Sequence, residues 1–234
     1  MAASPVLTES HRAIAPVWQT VIVLFALIGL GLAVTYSETL PFVGAYGNGA
    51  RYVWIILFEW VIVGFIWFGV SAGGMSLRDL IGGSWARSVA ILRDAALSLA
   101  FLVIIFVVSQ GLSTLLQAEP NRAVHNLIPH SSTEVVLFLI LTLSAGFCEE
   151  LIYRGYLQRQ FAALTQSAPG GVALQALAFG AGHTYQGWRF VLTISVIGVM
   201  FGLLAHWRCS LRPGMVAHFL QDGIGGLLAR KFLG

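Results

Sequence analysis

Charged residues are scarce in this sequence: Asp, Glu, Lys and Arg make up 10% of its 234 residues, against about a quarter in an average soluble domain. Cysteine is scarcer still. Cys148 and Cys209 are too far apart for a C-x-x-C metal or redox motif, and both read as small, buried apolar residues. The sequence has no H-E-x-x-H, no internal repeat and no low-complexity segment, so it reads as a single membrane domain, 1–234. The net charge of +3 is scattered rather than gathered on a face, and no nucleic-acid partner is expected.

Apolar residues fill the space that charge leaves, at 57% of the chain. The runs 17–36, 52–70 and 95–116 carry no polar stripe that could face water, so their solvent is the lipid bilayer. A helical span needs about 20 residues. That ruler places segments at 17–36, 52–70, 94–116, 135–158, 171–186, 188–206 and 211–232. The expectation is an all-α polytopic membrane protein with about seven or eight transmembrane helices in one bundle; an eighth would come from splitting 94–116 or the C-terminal stretch. The last three segments are short, Gly-rich and partly polar, as helices lining a cavity are. Glu9, His11 and Arg12 precede the first run without a small-residue cleavage site, so it reads as a retained span. Arg78, Arg87, Arg93, Arg159, Arg208 and Arg212 fall on one side of this topology; Arg51, Arg122, Arg189, Arg230 and Lys231 fall on the other. The mild excess predicts a cytoplasmic N-terminus in a multi-pass protein of a prokaryotic plasma membrane. Paired glycines, Gly73-Gly74 and Gly82-Gly83, bracket an amphipathic stretch, 75–81, expected along the interface. An outer loop with Pro120 and Pro129 closes on the helix-capping run His130-Ser131-Ser132-Thr133-Glu134.

Ionisable residues inside spans cost several kcal/mol, so each needs a partner or a function. Three clusters qualify: Cys148-Glu149-Glu150-Leu151-Ile152-Tyr153-Arg154, Phe179-Gly180-Ala181-Gly182-His183, and His218-Phe219-Leu220-Gln221-Asp222. Residues four apart share a helix face, which pairs Glu150 with Arg154 and His218 with Asp222. Glu149 points about 100° away from Glu150. It has no partner on its own helix, and His183 is the candidate from another. A carboxylate so placed suits a general base that takes a proton from water. Each cluster alone also has a plain structural explanation, as an intrahelical pair or a hydrogen-bonded packing histidine. Three of them on successive apolar helices point to one site.

Other polar residues carry less. Glu59 lies mid-span and must face the bundle or pair with an Arg, in a structural or gating role. His125, His130 and His206 fall near helix ends, Tyr185 and Trp188 read as interface aromatics, and Phe179 is either core or cavity wall.

In their order and spacing, Glu149-Glu150-x-x-x-Arg154, Phe179-x-x-x-His183 and His218-x-x-x-Asp222 resemble the three motifs of the CPBP family, which contains CAAX prenyl proteases and relatives linked to bacteriocin processing and immunity. The resemblance covers about 135–225, taken as the catalytic core. It implies an intramembrane glutamic endopeptidase acting on a peptide or protein substrate at or in the membrane. Glu149 and His183 would activate the attacking water, His218 with Asp222 would lie at the oxyanion, and Glu150 with Arg154 would hold the first motif. It implies no cofactor, with zinc on His and Glu as the rival. Family members carry Asn or Asp at the last position. An ionised Asp222 accepts hydrogen bonds only, so its expected task is to orient His218, which donates. A proton-coupled transporter and a non-catalytic immunity or binding protein are the alternatives outside proteolysis. Natural substrate and oligomeric state are not legible.

Overall fold

The structure is a computed structural model that describes residues 13–37, 47–118 and 125–233. Glu9, His11, Arg12, Pro120 and Arg122 lie outside those residues. The described chain is helical: α1 (Val17–Ser37), α2 (Asn48–Ala72), α3 (Leu77–Ile81), α4 (Ser88–Leu115), α5 (Ser132–Thr165), α6 (Ala168–Gly182), α7 (Trp188–Arg208) and α8 (Arg212–Leu233). Among the described residues the one β-type contact is an isolated bridge between Gly82 and Ser210. An all-α polytopic membrane protein is what the sequence asks for.

Every expected segment is a helix, but five, α1, α2, α4, α5 and α7, are long and apolar enough to cross a bilayer. By that measure the expected seven or eight spans are not reached. α6 has only 15 residues, and α8 carries Arg212, His218, Asp222, Arg230 and Lys231 along its length. Neither α4 nor α8 is split. The largest difference is in the fourth segment, which runs on to Thr165 instead of ending near 158.

Local chemistry sets the helix ends. Ser131 accepts from the Glu134 backbone N–H at 3.2 Å while the Glu134 carboxylate accepts from the Ser131 N–H, the capping box that the sequence signals. Ser167 caps α6 by accepting from the Gly170 N–H at 3.1 Å, with Pro169 in the first turn where its missing N–H costs nothing. α3 starts on a second capping box, between Ser76 and Asp79, whose hydrogen bonds hold the Asp79 carboxyl below its ordinary value. Leu80 of α3 is buried in the core, and Arg159 of α5 donates to the carbonyls of Asp79 and Leu80. The stretch at 75–81 is thus docked onto the bundle.

α5 is the enclosed helix. In its most apolar window 56% of the residues are buried, against 17% for the lipid-facing α4. Close approach to its neighbours depends on small residues, as in lipid, where packing rather than hydrophobicity joins helices. A Cβ at Gly146 would lie 2.9 Å from the Met215 carbonyl and the Phe219 nitrogen of α8, and one at Gly31 would collide with the Gly182 carbonyl of α6. Buried polar side chains complete the joints. Gln175 donates to the Gly198 carbonyl at 2.8 Å, and Gln160 bonds both Ile14 and Ala15 ahead of α1. Cys148 is buried as expected, whereas Cys209 is half-exposed because it forms the left-handed turn, φ 49°, between α7 and α8.

Candidate active site

The first cluster sits where α5 changes its winding. Glu150–Leu157 is π-helical, with i→i+5 hydrogen bonds that widen the turn, so the ordinary helical wheel used above does not hold here. The Glu150–Arg154 pair survives this change: Arg154 Nη1 donates to Glu150 Oε1 at 2.8 Å, with both side chains fully buried. The Arg154 guanidinium also lies over the rings of Phe179 and Phe201, 4.3 and 4.9 Å from their centroids. Phe179 is therefore a packing residue that clamps the arginine and also borders a cavity.

His218 joins the first and third clusters. Its Nδ1 lies 3.1 Å from Glu150 Oε1, and a carboxylate oxygen accepts, so Nδ1 donates. Its Nε2 lies 3.6 Å from Glu149 Oε2 and 3.5 Å from Asp222 Oδ2. The expected His218–Asp222 pairing is present, and Glu149 finds its ion-pair partner in His218 rather than His183. The link from His218 to Glu150 was not foreseen, because nothing in spacing relates positions 68 apart.

His183 forms the C-terminal cap of α6. Its Nδ1 is 2.8 Å from the Phe179 carbonyl oxygen. That oxygen can only accept, so Nδ1 carries hydrogen and the neutral ring keeps its lone pair on Nε2. Glu149 and His183 both line two cavities. One, of about 220 Å³, is apolar and lies between α1, α2 and α5, walled by Leu27, Leu30, Val34 and Phe58. The other, of about 400 Å³, reaches α7 and α8 and contains His218, Gln221 and Asp222. Glu149 Oε2 is buried without a hydrogen-bond partner, as is Glu150 Oε2. Such groups in a native fold ask for an explanation.

Residues 131–224 match the family of Rce1-like type II CAAX prenyl endopeptidases. The Rce1-like segment contains all three clusters and runs from the Ser131 cap of α5 into α8, which agrees with the resemblance carried by the motifs. A Bacillus subtilis (strain 168) protein called uncharacterized protein YpbD is 30% identical over 99 residues, 42% of this chain and 44% of that protein. The chain thus matches less than half the length of this relative. No solved structure matches the chain.

Two ionisable residues outside the expected set line both cavities with Glu149: Glu59 of α2 and Tyr185 of the short turn after α6. Glu59 faces the bundle, but pairs with no Arg. Tyr185 is not an interface aromatic; its ring lies 5.8 Å from that of His183, whereas Trp188 is exposed. A tyrosine beside a helix end reads the same way in sequence whether it meets lipid or a cavity. His130 lies at the exposed start of α5. Among the described residues no three His, Cys, Asp or Glu side chains are grouped as metal donors.

Proposed function

We propose that this protein is an intramembrane endopeptidase of the CPBP type, in which Glu149 takes a proton from a water that attacks the scissile carbonyl. The observation that carries the reading is the position of Glu149, on the walls of two cavities that His183 also lines and 3.6 Å from His218 Nε2, with a carboxylate oxygen that no hydrogen bond uses. A base must keep an unengaged lone pair at a place that water and substrate can both reach. His183, with Nε2 as acceptor, assists at the water. His218 acts as an imidazolium among the carboxylates of Glu149, Glu150 and Asp222: Nδ1–H donates to Glu150, Nε2–H turns to the oxyanion of the tetrahedral intermediate, and Asp222 orients the ring. Glu150 and Arg154 lock the π-helical turn that aims Glu149. Phe179 supports Arg154 and His183.

The substrate class that fits is a peptide or protein segment delivered from the membrane, since the apolar cavity is bounded by helices of the bundle. The matched family's printed name speaks of CAAX prenyl endopeptidases; whether the segment here is prenylated is a separate matter from the hydrolytic reading. For orientation, Arg159 bonds carbonyls within α3, Arg212 bonds the Gly82 carbonyl just after it, and Arg93 and Arg208 meet at Asp94. This gathering of arginines at one end supports a cytoplasmic placement of that end, in the plasma membrane of a prokaryote.

The test is a comparison of membrane peptides from cells with wild-type and Glu149→Gln protein. A cleavage product lost in the variant supports the reading, and an unchanged peptide pattern overturns it in favour of binding. Metal independence is part of the proposal: incubation with a strong chelator should leave cleavage unchanged, and loss restored by zinc would replace the glutamate mechanism with a metal one.

A further inference from the structure

Hydrolysis of an amide needs a proton for the departing amine as well as a base for the water, and the reading above assigns only the base. Glu59 stands apart from every other buried acid in the described residues. Asp94 meets Arg93 and Arg208, and Glu150 meets Arg154. Glu59 is 5% exposed and forms no ion pair with any of the described residues. Arg51, on its own helix, is more than two turns away and donates to the Asn126 carbonyl. The carboxylate of Glu59 is instead held by one hydrogen bond, from Ser144 Oγ of α5 to Oε2 at 2.7 Å. The Trp60 indole N–H donates to the same Ser144 oxygen at 3.1 Å, which takes one of its two lone pairs and leaves its hydroxyl hydrogen for Glu59, and Trp60 stacks on Phe147 at 5.6 Å. Ser144 lies five positions before Glu149 on α5. Glu59 is also the one acid besides Glu149 that borders both cavities among the described residues. The titratable and charged groups facing those cavities with it are Glu149 and Tyr153 from α5, His183 and Tyr185 from the end of α6 and the turn after it, His218 and Asp222 from α8, and Arg51 from α2.

We propose that Glu59 is the acid of the reaction, holding a proton in the resting protein and giving it to the leaving nitrogen. This rests on the peptidase reading and deepens it. In the first step, a water O–H bond breaks, its proton goes to Glu149, and the oxygen bonds to the carbonyl carbon. In the second, the C–N bond breaks as the Glu59 proton moves to nitrogen, giving a carboxylic acid and an amine. The proton on Glu149 then returns to Glu59 through the shared cavity. One water is consumed and both carboxyls end as they began. A buried carboxyl with no ion-pair partner among the described residues is suited to carry that proton, and the Ser144 bond, which uses one oxygen, leaves the other for it.

The first test needs no substrate. The infrared spectrum of purified protein in lipid at neutral pH should contain a protonated-carboxyl C=O stretch that disappears in Glu59→Gln and persists in Glu149→Gln; an unchanged band in Glu59→Gln overturns the proposal. The second uses an internally quenched apolar peptide and its depsipeptide counterpart, in which the scissile amide is an ester. An alkoxide leaves with far less need of an acid than an amine. Glu59→Gln should therefore slow amide cleavage at least 10-fold more than ester cleavage, whereas Glu149→Gln abolishes both. Equal slowing of the two substrates by Glu59→Gln makes Glu59 structural and sinks the inference, while activity retained by Glu149→Gln sinks the peptidase mechanism instead. If Glu59→Gln does not fold, Ser144→Ala carries the same comparison with a smaller difference, and equal slowing there has the same meaning.

Discussion

Two buried acidic clusters lie close together along α8, and they are built on opposite principles. At the α7–α8 end, Asp94 has both carboxylate oxygens in use. Trp85 Nε1 donates to Oδ2 at 2.9 Å, and Arg93 and Arg208 reach Oδ1. Ser98, one turn along α4, ties that helix to the Pro213 carbonyl. Near the middle of α8, Glu149 and Glu150 each keep an oxygen without a hydrogen bond, although the same helix supplies His218 to both. A polar group that is fully paired in a membrane acts as a joint. One that is left partly unpaired asks for an explanation, and Arg154, Gln158 and Gln175 have such atoms as well as Glu149 and Glu150. The proposed roles draw on this contrast, with Asp94 as a joint and Glu149 as the base.

The largest effect should come from Glu149. Replacement by Gln keeps the shape and removes the base, so cleavage of a quenched peptide should fall by about 10²–10⁴-fold, while thermal melting in detergent stays close to wild type. Next is Glu150→Gln, which leaves the Arg154 guanidinium buried without its counter-charge and should lower stability by roughly 3–5 kcal/mol, read by denaturant-induced loss of helicity in micelles. Asp94→Asn should cost less, about 1–3 kcal/mol, because the amide oxygen still accepts from Trp85 and part of Arg93 is solvated. Its folded fraction should retain cleavage. A folded Asp94→Asn protein as inactive as Glu149→Gln would erase the distinction between the two clusters.

The smallest effect concerns α3. The Asp79 carboxyl is held below its ordinary value of 3.8 by Ser76, so its contribution is present above that value and is lost as pH falls through the lower, folded one. Protection from amide exchange at the start of α3, taken relative to the intrinsic rate at each pH, should fall under those acidic conditions and stay constant in Asp79→Asn. Cleavage near neutral pH should not change.

The parts of this arrangement that were legible in the sequence are those that the bilayer makes expensive. Glu150 with Arg154 and His218 with Asp222 are pairs four residues apart on apolar helices, and both pairs form. The capping run before α5 was equally plain, since its hydrogen bonds are local. What escaped notice depends on contacts between distant positions. Glu59 was visible as a misplaced acid, but its tie to Ser144 spans 85 positions, and no periodicity reports it. Tyr185 was assigned to the interface because lipid headgroups and a polar cavity select the same amphipathic ring. The length of α5 was underestimated because Gln158, Arg159 and Gln160 look like a helix end, whereas Gln158 and Gln160 are buried and bonded to Gly202 and Ala15. The π-helical turn left no mark in residue types, since its stability comes from the Arg154 anchorage and the walls around it.

That turn has a further consequence for the geometry of α5. A π-helical insertion acts as a phase shift in an otherwise regular screw: the half before it and the half after it do not share a common stripe. The stretch up to Glu149 can therefore present its acid to the cavities while the stretch beyond Leu157 presents Gln158 to α7 and Gln160 to the chain ahead of α1. A single uninterrupted α-helix of the same 34 residues would satisfy one of these faces at the expense of the other. Loss of one residue between 150 and 157 would restore the regular screw, and with it would rotate the two halves of the molecule's central helix out of register with everything packed around them.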